Sequence, residues 1–378
     1  MNRVLILGGG FGGVATANRL RELLPPEDEI LLVDRRSHFM VGFRKTWALL
    51  GHEPMEAGYG SLPDLEKKGI RVVQGEITRL DPENRSAEVD GSTLKADALV
   101  VALGAELDPG RVPGFEEHAF NVYSPEDIPR ASEALESFSG GRVMVGIFGL
   151  PYKCPPAPYE ITLLTRDYFD ARGIEVEMAA FTPQPMSMPI LGEAGCEVIE
   201  SRLEGRGIQF YTNHKAIAVE QGKVRFAAHN PQPFDILLGV PPHKAPAVVA
   251  ESGLTGEGAW VAVDARTLET AYSGVYAIGD VTTIPMANGK PLPKAGVFAE
   301  GEGLVVAERI ADVFAGRRPQ ARYEGEGGCF LEVGRGEAMM VQGNFLAEPA
   351  PQVALSDQSA AYIEDKVKFE KQRLNNWF

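Results

Sequence analysis

VLILGGGFGGVATANRLRELLPPEDEILLVD, from Val4 to Asp34, decides the fold. An apolar strand, Val4 to Leu7, runs into Gly8-Gly9-Gly10-Phe11-Gly12-Gly13; a helical pattern follows to about Leu24, and a second strand, Glu29–Asp34, ends on an acid. Gly8, Gly10 and Gly13 occupy the G-x-G-x-x-G positions. They allow a tight turn, close backbone approach to a pyrophosphate, and tight helix–strand packing. The N–H groups at the helix start carry partial positive charge toward such a phosphate. Asp34 stands at the spacing that suits a pair of ribose hydroxyls. Strand, loop, helix, strand and acid in this order predict a dinucleotide-binding βαβ unit.

Outward from that unit, short strands joined by turns such as Asp90-Gly91 lead to a second apolar strand, Ala98 to Ala102, closed by Gly104. Phe11, Gly12, Arg35, Ile77, Ala102 and Gly104 join the set expected to line the nucleotide. A second βαβ unit covers about 142 to 182. Its strand, Val143 to Phe148, and its helix, Glu160 to Ala171, are separated by a turn holding Pro151, Pro155, Pro156, Pro158 and Cys154. Phe148 fills the second glycine position of a phosphate loop, and proline nitrogens donate no hydrogen bond. The next strand ends in Thr182-Pro183, without an acid for a ribose. The unit keeps the geometry of a nucleotide fold and lacks its chemistry, so NADH and NADPH are expected to bind poorly. Further along, a helix is expected over Glu193 to Gly205 and another from about Gly296 to Phe314.

The expected class is therefore α/β, with two Rossmann-like domains and a small C-terminal region. The first domain is discontinuous (1–105 and 260–318), the second runs over 106–259, and the tail over 319–378. The 378 residues suffice for two or three buried cores. A net charge of −15 argues against nucleic acid, which is held by clustered Lys and Arg. No apolar run is long enough for a membrane span, and Met1-Asn2-Arg3 leads directly into the first strand, so the expectation is a cytoplasmic or peripheral membrane protein. Cys154, Cys196 and Cys329 form neither a disulfide framework nor a zinc site, and no metal is expected.

TAYSGVYAIGD, Thr270 to Asp280, delivers Gly279 and Asp280 at the C-terminal end of a strand, where α/β sheets bind ligands. The pattern T-x4-V-Y-A-x-G-D resembles the second FAD motif of the pyridine nucleotide–disulfide reductase superfamily, which implies that Asp280 holds the ribityl chain. Lys294, Ala295 and Gly296 open the next helix. In that superfamily this helix aims its N-terminus at the flavin pyrimidine, where its dipole favours negative charge. KCPPAPYE around Cys154 and GGCFLEVGRGEAMM around Cys329 resemble the two redox-cysteine motifs of the sulfide:quinone oxidoreductases and of the flavocytochrome c sulfide dehydrogenase flavoproteins.

The resemblance spans nearly the whole chain in order and implies FAD-dependent sulfide oxidation through a Cys154–Cys329 redox disulfide, with electrons passed to quinone. It implies a proton-moving role for Glu160, which as a bare residue reads as a dipole partner in a first helical turn. Cys196, spaced with Ile199 and Leu203, reads as core. HAFNVYSPED lacks the third cysteine of some relatives. FRKTWALLG lacks the cysteine that tethers flavin in others, so the FAD is expected to be non-covalent.

The C-terminal AAYIEDKVKFEKQRLNNWF offers Tyr362, Val367, Leu374 and Trp377-Phe378 as an apolar stripe for a membrane surface, a subunit contact or a plug near the flavin. Hydrosulfide and quinone are the expected partners, in a homo-oligomer. A cytochrome c acceptor, a type II NADH dehydrogenase and a non-enzymatic flavin-based redox sensor are the competing readings.

Overall fold

The computed structural model describes residues 1–378. Its first sheet has five parallel strands in the order Val275–Ala277, Ala98–Val101, Arg3–Leu7, Glu29–Asp34 and Arg71–Gln74. Both faces are covered, so the strands are apolar throughout rather than alternating. Val4, Ile6, Ile30, Leu32 and Val100 face the helices Phe11–Leu23 and Gly296–Phe314, which pack on each other. Leu5, Leu7, Leu31, Val33, Leu99 and Val101 face a second core with Leu80, Ala87 and Val89 of a small antiparallel sheet. The period of two that separates the two sets is the pleat itself.

The second sheet is also parallel and five-stranded: Phe120–Asn121, Ile236–Val240, Gly141–Ile147, Val176–Phe181 and Ile208–Tyr211. Helix Ala157–Ala171 crosses from its central strand. This helix starts earlier than Glu160, because Pro156 at its cap and Pro158 in its first turn lack only N–H groups that an α-helix leaves unpaired there. Helix Phe11–Leu23 likewise begins inside the glycine loop, and helices Gly192–Gly205 and Gly296–Phe314 lie where the sequence reading placed them. Cys196 is buried with Ile199 and Leu203, the core position expected of it.

The tail adds an antiparallel sheet, Glu326–Gly334, Glu337–Asn344 and Gln352–Leu355, and the helix Ala361–Trp377. Strand Glu326–Gly334 packs on helix Ala157–Ala171 from the second sheet and on helix Gly296–Phe314 from the first. The tail thus sits where the two parallel sheets meet.

Helix Ala361–Trp377 departs from the apolar stripe expected of it. Its fully buried residues are Lys366, Glu370 and Trp377, while Tyr362, Val367 and Leu374 are half-buried. Trp377 packs edge-on against Phe11 and Phe39, with ring centroids at 5.7 and 5.3 Å, and Phe378 lies over Gly60. The aromatic end is turned inward, toward the glycine loop. No helix is long and apolar enough to cross a membrane.

A Cβ added at Gly13 would stand 1.8 Å from the Gly8 carbonyl oxygen, whereas one at Gly10 would meet nothing within 4 Å. Gly13→Ala is therefore expected to cost about 2–4 kcal/mol in denaturant unfolding, and Gly10→Ala less than about 0.5 kcal/mol. Equal effects of the two substitutions would contradict this packing.

Candidate active site

All strands of each sheet run the same way, so their C-terminal ends define one edge, and ligands gather in the crevice outside such edges. From the first sheet this edge presents Gly8–Gly13, Asp34, Ala102, Gly104, Gly279 and Asp280. Gly8 has φ +108°, and a Cβ there would come within 2.3 Å of the Ala102 carbonyl, which explains the glycine. The N-terminus of helix Phe11–Leu23 has no side-chain cap, and Gly10 and Gly104 border open space. The Asp34 carboxylate accepts the Gly9 N–H at 2.6 Å and pairs with Arg36 at 3.0 Å, which together hold it below the ordinary carboxylate range despite its burial. Arg35 points away, at 3.8 Å from Glu76, and Ile77 is half-buried on the small antiparallel sheet.

Asp280 forms no hydrogen bond through its carboxylate. Burial raises its pKa, against the pull of Lys153 and Lys294. Lys294 donates to the carbonyls of Asp280 (2.7 Å) and Thr282 (2.9 Å) and lies 3.6 Å over the Trp260 ring. Ala295 and Gly296 start the helix behind it, and a Cβ on Gly296 would strike the Phe11 ring. Burial lowers Lys294 to about 8 and raises nearby Glu302, which accepts the Gly279 N–H, to about 8.

The second sheet brings the Cys154 turn to the same crevice. Cys154 adopts φ +55°, a left-handed conformation costly for a residue with a Cβ. It is held there by its N–H bond to the Lys294 carbonyl (2.7 Å) and by the Tyr123 hydroxyl on its own carbonyl (3.1 Å). His243 projects close by, edge-on to Tyr123, with Nδ1 against the Pro241 carbonyl and Nε2 unpaired; burial and then Lys153 press its pKa to about 3.

Cys329 arrives on the tail strand. Both cysteines are free thiols and half-buried, and the charge of Cys154 acts on Cys329. Burial first, and Glu160 next, push Cys154 up to about 11, while Lys366 and Lys45 pull it back. Cys329 is pushed well above the ordinary thiol range by burial and then by Cys154.

Beneath the thiols lies a buried charge cluster. Lys366 donates to Glu160 at 2.8 Å and to Glu332 at 2.7 Å, and Glu160 also accepts the Glu332 backbone N–H at 2.9 Å. Trp47 donates its indole N–H to Glu332 at 2.7 Å, and Arg44 pairs with Glu370 beside it. One ammonium serving two buried carboxylates leaves Glu160 raised, desolvation outweighing Lys366; Lys366 itself is held above its ordinary value by its two partners, against burial.

Sequence reasoning brought forward Cys154, Cys329 and Glu160 but missed Lys366, Glu332, Arg44, Glu370 and Tyr123. The one available signal was Lys366 and Glu370 spaced i, i+4 with Trp377 on a helix face, a stripe that reads as solvated when its partners are unknown.

Two dinucleotide-type folds facing one crevice, with a tail strand bringing a thiol into it, resemble the pyridine nucleotide-disulphide class of oxidoreductases. The pyridine nucleotide-disulphide oxidoreductase family profile matches residues 2–145. The resemblance read from the motifs holds along the chain. The mitochondrial sulfide:quinone oxidoreductase of Mus musculus is 23% identical over 363 residues, covering 92% of this chain and 79% of the relative. The X-ray structure of the sulfide:quinone oxidoreductase from Aquifex aeolicus shares the fold at a TM-score of 0.89 and 24% identity, over 100% of this chain and 92% of that one. A type II NADH:quinone oxidoreductase of Staphylococcus saprophyticus is also similar, 24% identical over 360 residues and 85% of each chain. FAD is the cofactor this class carries. The crevice fits it: an uncapped helix N-terminus at an open glycine loop for its phosphates, and an Asp280 carboxylate without a partner for its polyol.

Two outcomes test the electrostatics. Lys366→Met strands two buried carboxylates and is expected to destabilise the fold by about 3–5 kcal/mol in denaturant titration, with Lys366→Arg closer to wild type. With its thiol raised to about 11, Cys154 of the reduced protein should react slowly with iodoacetamide at pH 8 and faster at each step toward pH 11. Full reactivity by pH 9, mapped by peptide mass, would contradict the burial argument.

Proposed function

We propose that the protein oxidises hydrosulfide with non-covalently bound FAD and passes the electrons to quinone. The observation that carries this reading is the convergence of Cys154 and Cys329, far apart in the chain, on one crevice beside Asp280 and Lys294. In the oxidised state the two thiols form a disulfide. Hydrosulfide attacks one of its sulfurs; a new S–S bond forms as the old one breaks, leaving a persulfide on one cysteine and a thiolate on the other. A second hydrosulfide takes the outer, zero-valent sulfur as a hydrodisulfide, breaking the persulfide bond and leaving both cysteines at the thiol level. Re-formation of the Cys154–Cys329 disulfide then gives up two electrons and the thiol protons. FAD, when bound, would supply the two-electron acceptor. Gly8, Gly10, Gly12 and Gly13 would hold its diphosphate, Asp34 its adenosine ribose and Asp280 its ribityl chain, while Lys294 and the start of helix Gly296–Phe314 would favour negative charge on its ring. Glu160, buried against Lys366, holds or takes up the proton beside the thiols.

NADH is the donor that the Staphylococcus relative's name would offer instead. Against it stands the aromatic filling of the second fold. Phe148 packs between Phe115 and Phe181, at centroid distances of 4.9 and 5.1 Å, and a Cβ at Gly146 would come within 2.1 Å of Phe181. Phe148 stands at the second glycine position of such a loop, and its ring is held there by the other two.

The test is an anaerobic titration of the yellow protein, first with sulfide and then with NADH. Sulfide is expected to bleach the flavin stoichiometrically and NADH slowly; rapid bleaching by micromolar NADH would reverse the assignment. Cys154→Ser and Cys329→Ser should each abolish sulfide bleaching and keep FAD, with Cys196→Ser like wild type. Heat or acid should release the flavin, and Asp280→Ala should weaken its retention by about 1–3 kcal/mol.

A further inference from the structure

Two lysines in the crevice make no ion pair, although Asp280 acts on Lys153 and Glu126 on Lys45 from farther off. Lys45 stands on the short helix Arg44–Leu49, which is clamped from behind by the Arg44–Glu370 pair and the Trp47–Glu332 bond, and which packs against helix Ile128–Ser137. The segment leading into that second helix carries Tyr123, whose hydroxyl bonds to the Cys154 carbonyl. Lys45 is half-buried, and no hydrogen bond or ion pair reaches its ammonium. The charges acting on it are Lys153, Cys154, Arg36 and Glu126. Of these, Glu126 accepts the Ser124 hydroxyl and is drawn by Arg35 as well as by Lys45.

Lys153 precedes Cys154 and is half-buried as well. Its single hydrogen bond is a long one, 3.4 Å to the Ala105 carbonyl, and its backbone runs beside Lys294. Burial and then Lys153 lower Lys45 to about 8, and burial lowers Lys153 against the pull of Asp280, with Arg36 adding to the lowering. Two desolvated ammonium groups in one crevice, neither in contact with a carboxylate, oppose folding. A rigid, clamped helix that nevertheless presents one of them to the Cys154 turn is built for an anion that comes and goes.

We propose that Lys45 and Lys153 form an anion site beside Cys154 that captures the hydrosulfide anion and holds the anionic sulfur chain that grows on the cysteine. This rests on the sulfide reading above. The nucleophile that opens a disulfide is the anion, not the neutral acid, so fixed cations at the point of attack raise its local concentration. They also face the negative charge that passes onto the Cys154 side when the disulfide opens. The bound cofactor's diphosphate is the other anion that two cations in this crevice could serve, and the experiment separates the two.

Holoenzyme variants Lys45→Met, Lys153→Met and Lys45→Arg are mixed anaerobically with sulfide in a stopped-flow instrument at several salt concentrations. Each Met variant is expected to raise the half-saturating sulfide concentration about tenfold and to flatten its salt dependence, with the limiting rate of bleaching within about twofold of wild type. Lys45→Arg should restore capture, and flavin per chain should stay unchanged. Loss of flavin from the Met variants would assign the lysines to the cofactor and overturn the proposal, as would unchanged half-saturation. Calorimetry with thiocyanate, an unreactive sulfur anion, keeps the site testable apart from turnover: about tenfold weaker binding to Lys45→Met supports it, and equal binding overturns it. Failure of wild type to bleach with sulfide sinks the sulfide reading, and the thiocyanate result then still decides the site.

Discussion

Lys366 reaches from the C-terminal helix between the carboxylates of Glu160 and Glu332, with side chains 1%, 3% and 8% exposed. Three segments distant in sequence meet at this ammonium. Glu160 belongs to the helix that begins just after Cys154, and Glu332 lies three residues past Cys329 on the tail strand. The Glu160 carboxylate also accepts the backbone N–H of Glu332, so the bond reads strand register as well as charge. A slip of one residue along that strand would turn Cys329 to the opposite face. Buried ion pairs contribute little net stability, because desolvation offsets attraction. Their value here lies in specificity: a unique register that brings two thiols into one crevice. The Arg44–Glu370 pair and the Trp47 bond extend the same constraint to the helix that carries Lys45.

The Cys154 turn shows the same trade of local cost for position. A left-handed cysteine would relax unless its surroundings fixed it. The bonds from its N–H to Lys294 and from Tyr123 to its carbonyl do so, and the neighbouring prolines narrow the unfolded alternatives. The electrostatics of the crevice are balanced in the same manner. Burial and Glu160 favour the neutral thiol, whereas Lys45 and Lys366 favour the charged one. The proposed chemistry, in which a sulfur alternates between disulfide, persulfide and thiolate, needs both influences within reach.

Much of this was legible in the sequence because it rests on local rules. The glycine loop, the first βαβ unit and the motif ending in Asp280 each state a backbone requirement in neighbouring residues, and the sheets follow from them. The charge cluster was not legible. Tyr362, Val367, Leu374 and Trp377 suggested an apolar stripe by hydrophobicity alone, yet the helix buries Lys366 and Glu370. A lysine is buried only where its counter-charges wait, and those of Lys366 come from positions 160 and 332. Periodicity within one helix carries no information about partners contributed by two other segments. For the same reason Glu160 read as a routine dipole partner of its own helix, although the structure spends its carboxylate on contacts outside that helix.

The second parallel fold gives the last step. Its strand, turn and helix repeat the geometry of the first, but Phe115, Phe148, Phe181 and Phe226 form a chain of edge-on rings on one face of the sheet, across to the hairpin beyond it. Gly146 and Gly239 are glycine because those rings lie against them: a Cβ at either would come within 2.5 Å of phenylalanine carbon. The strand that leads into the turn is thus packed by these rings on one face and by helix Ala157–Ala171 on the other. A fold with the geometry to bind a nucleotide has become a rigid mount for Cys154. The mount fixes the turn, and the Lys366 clamp ties the helix that follows that turn to the strand carrying Cys329. Neither thiol can be displaced without disturbing a core.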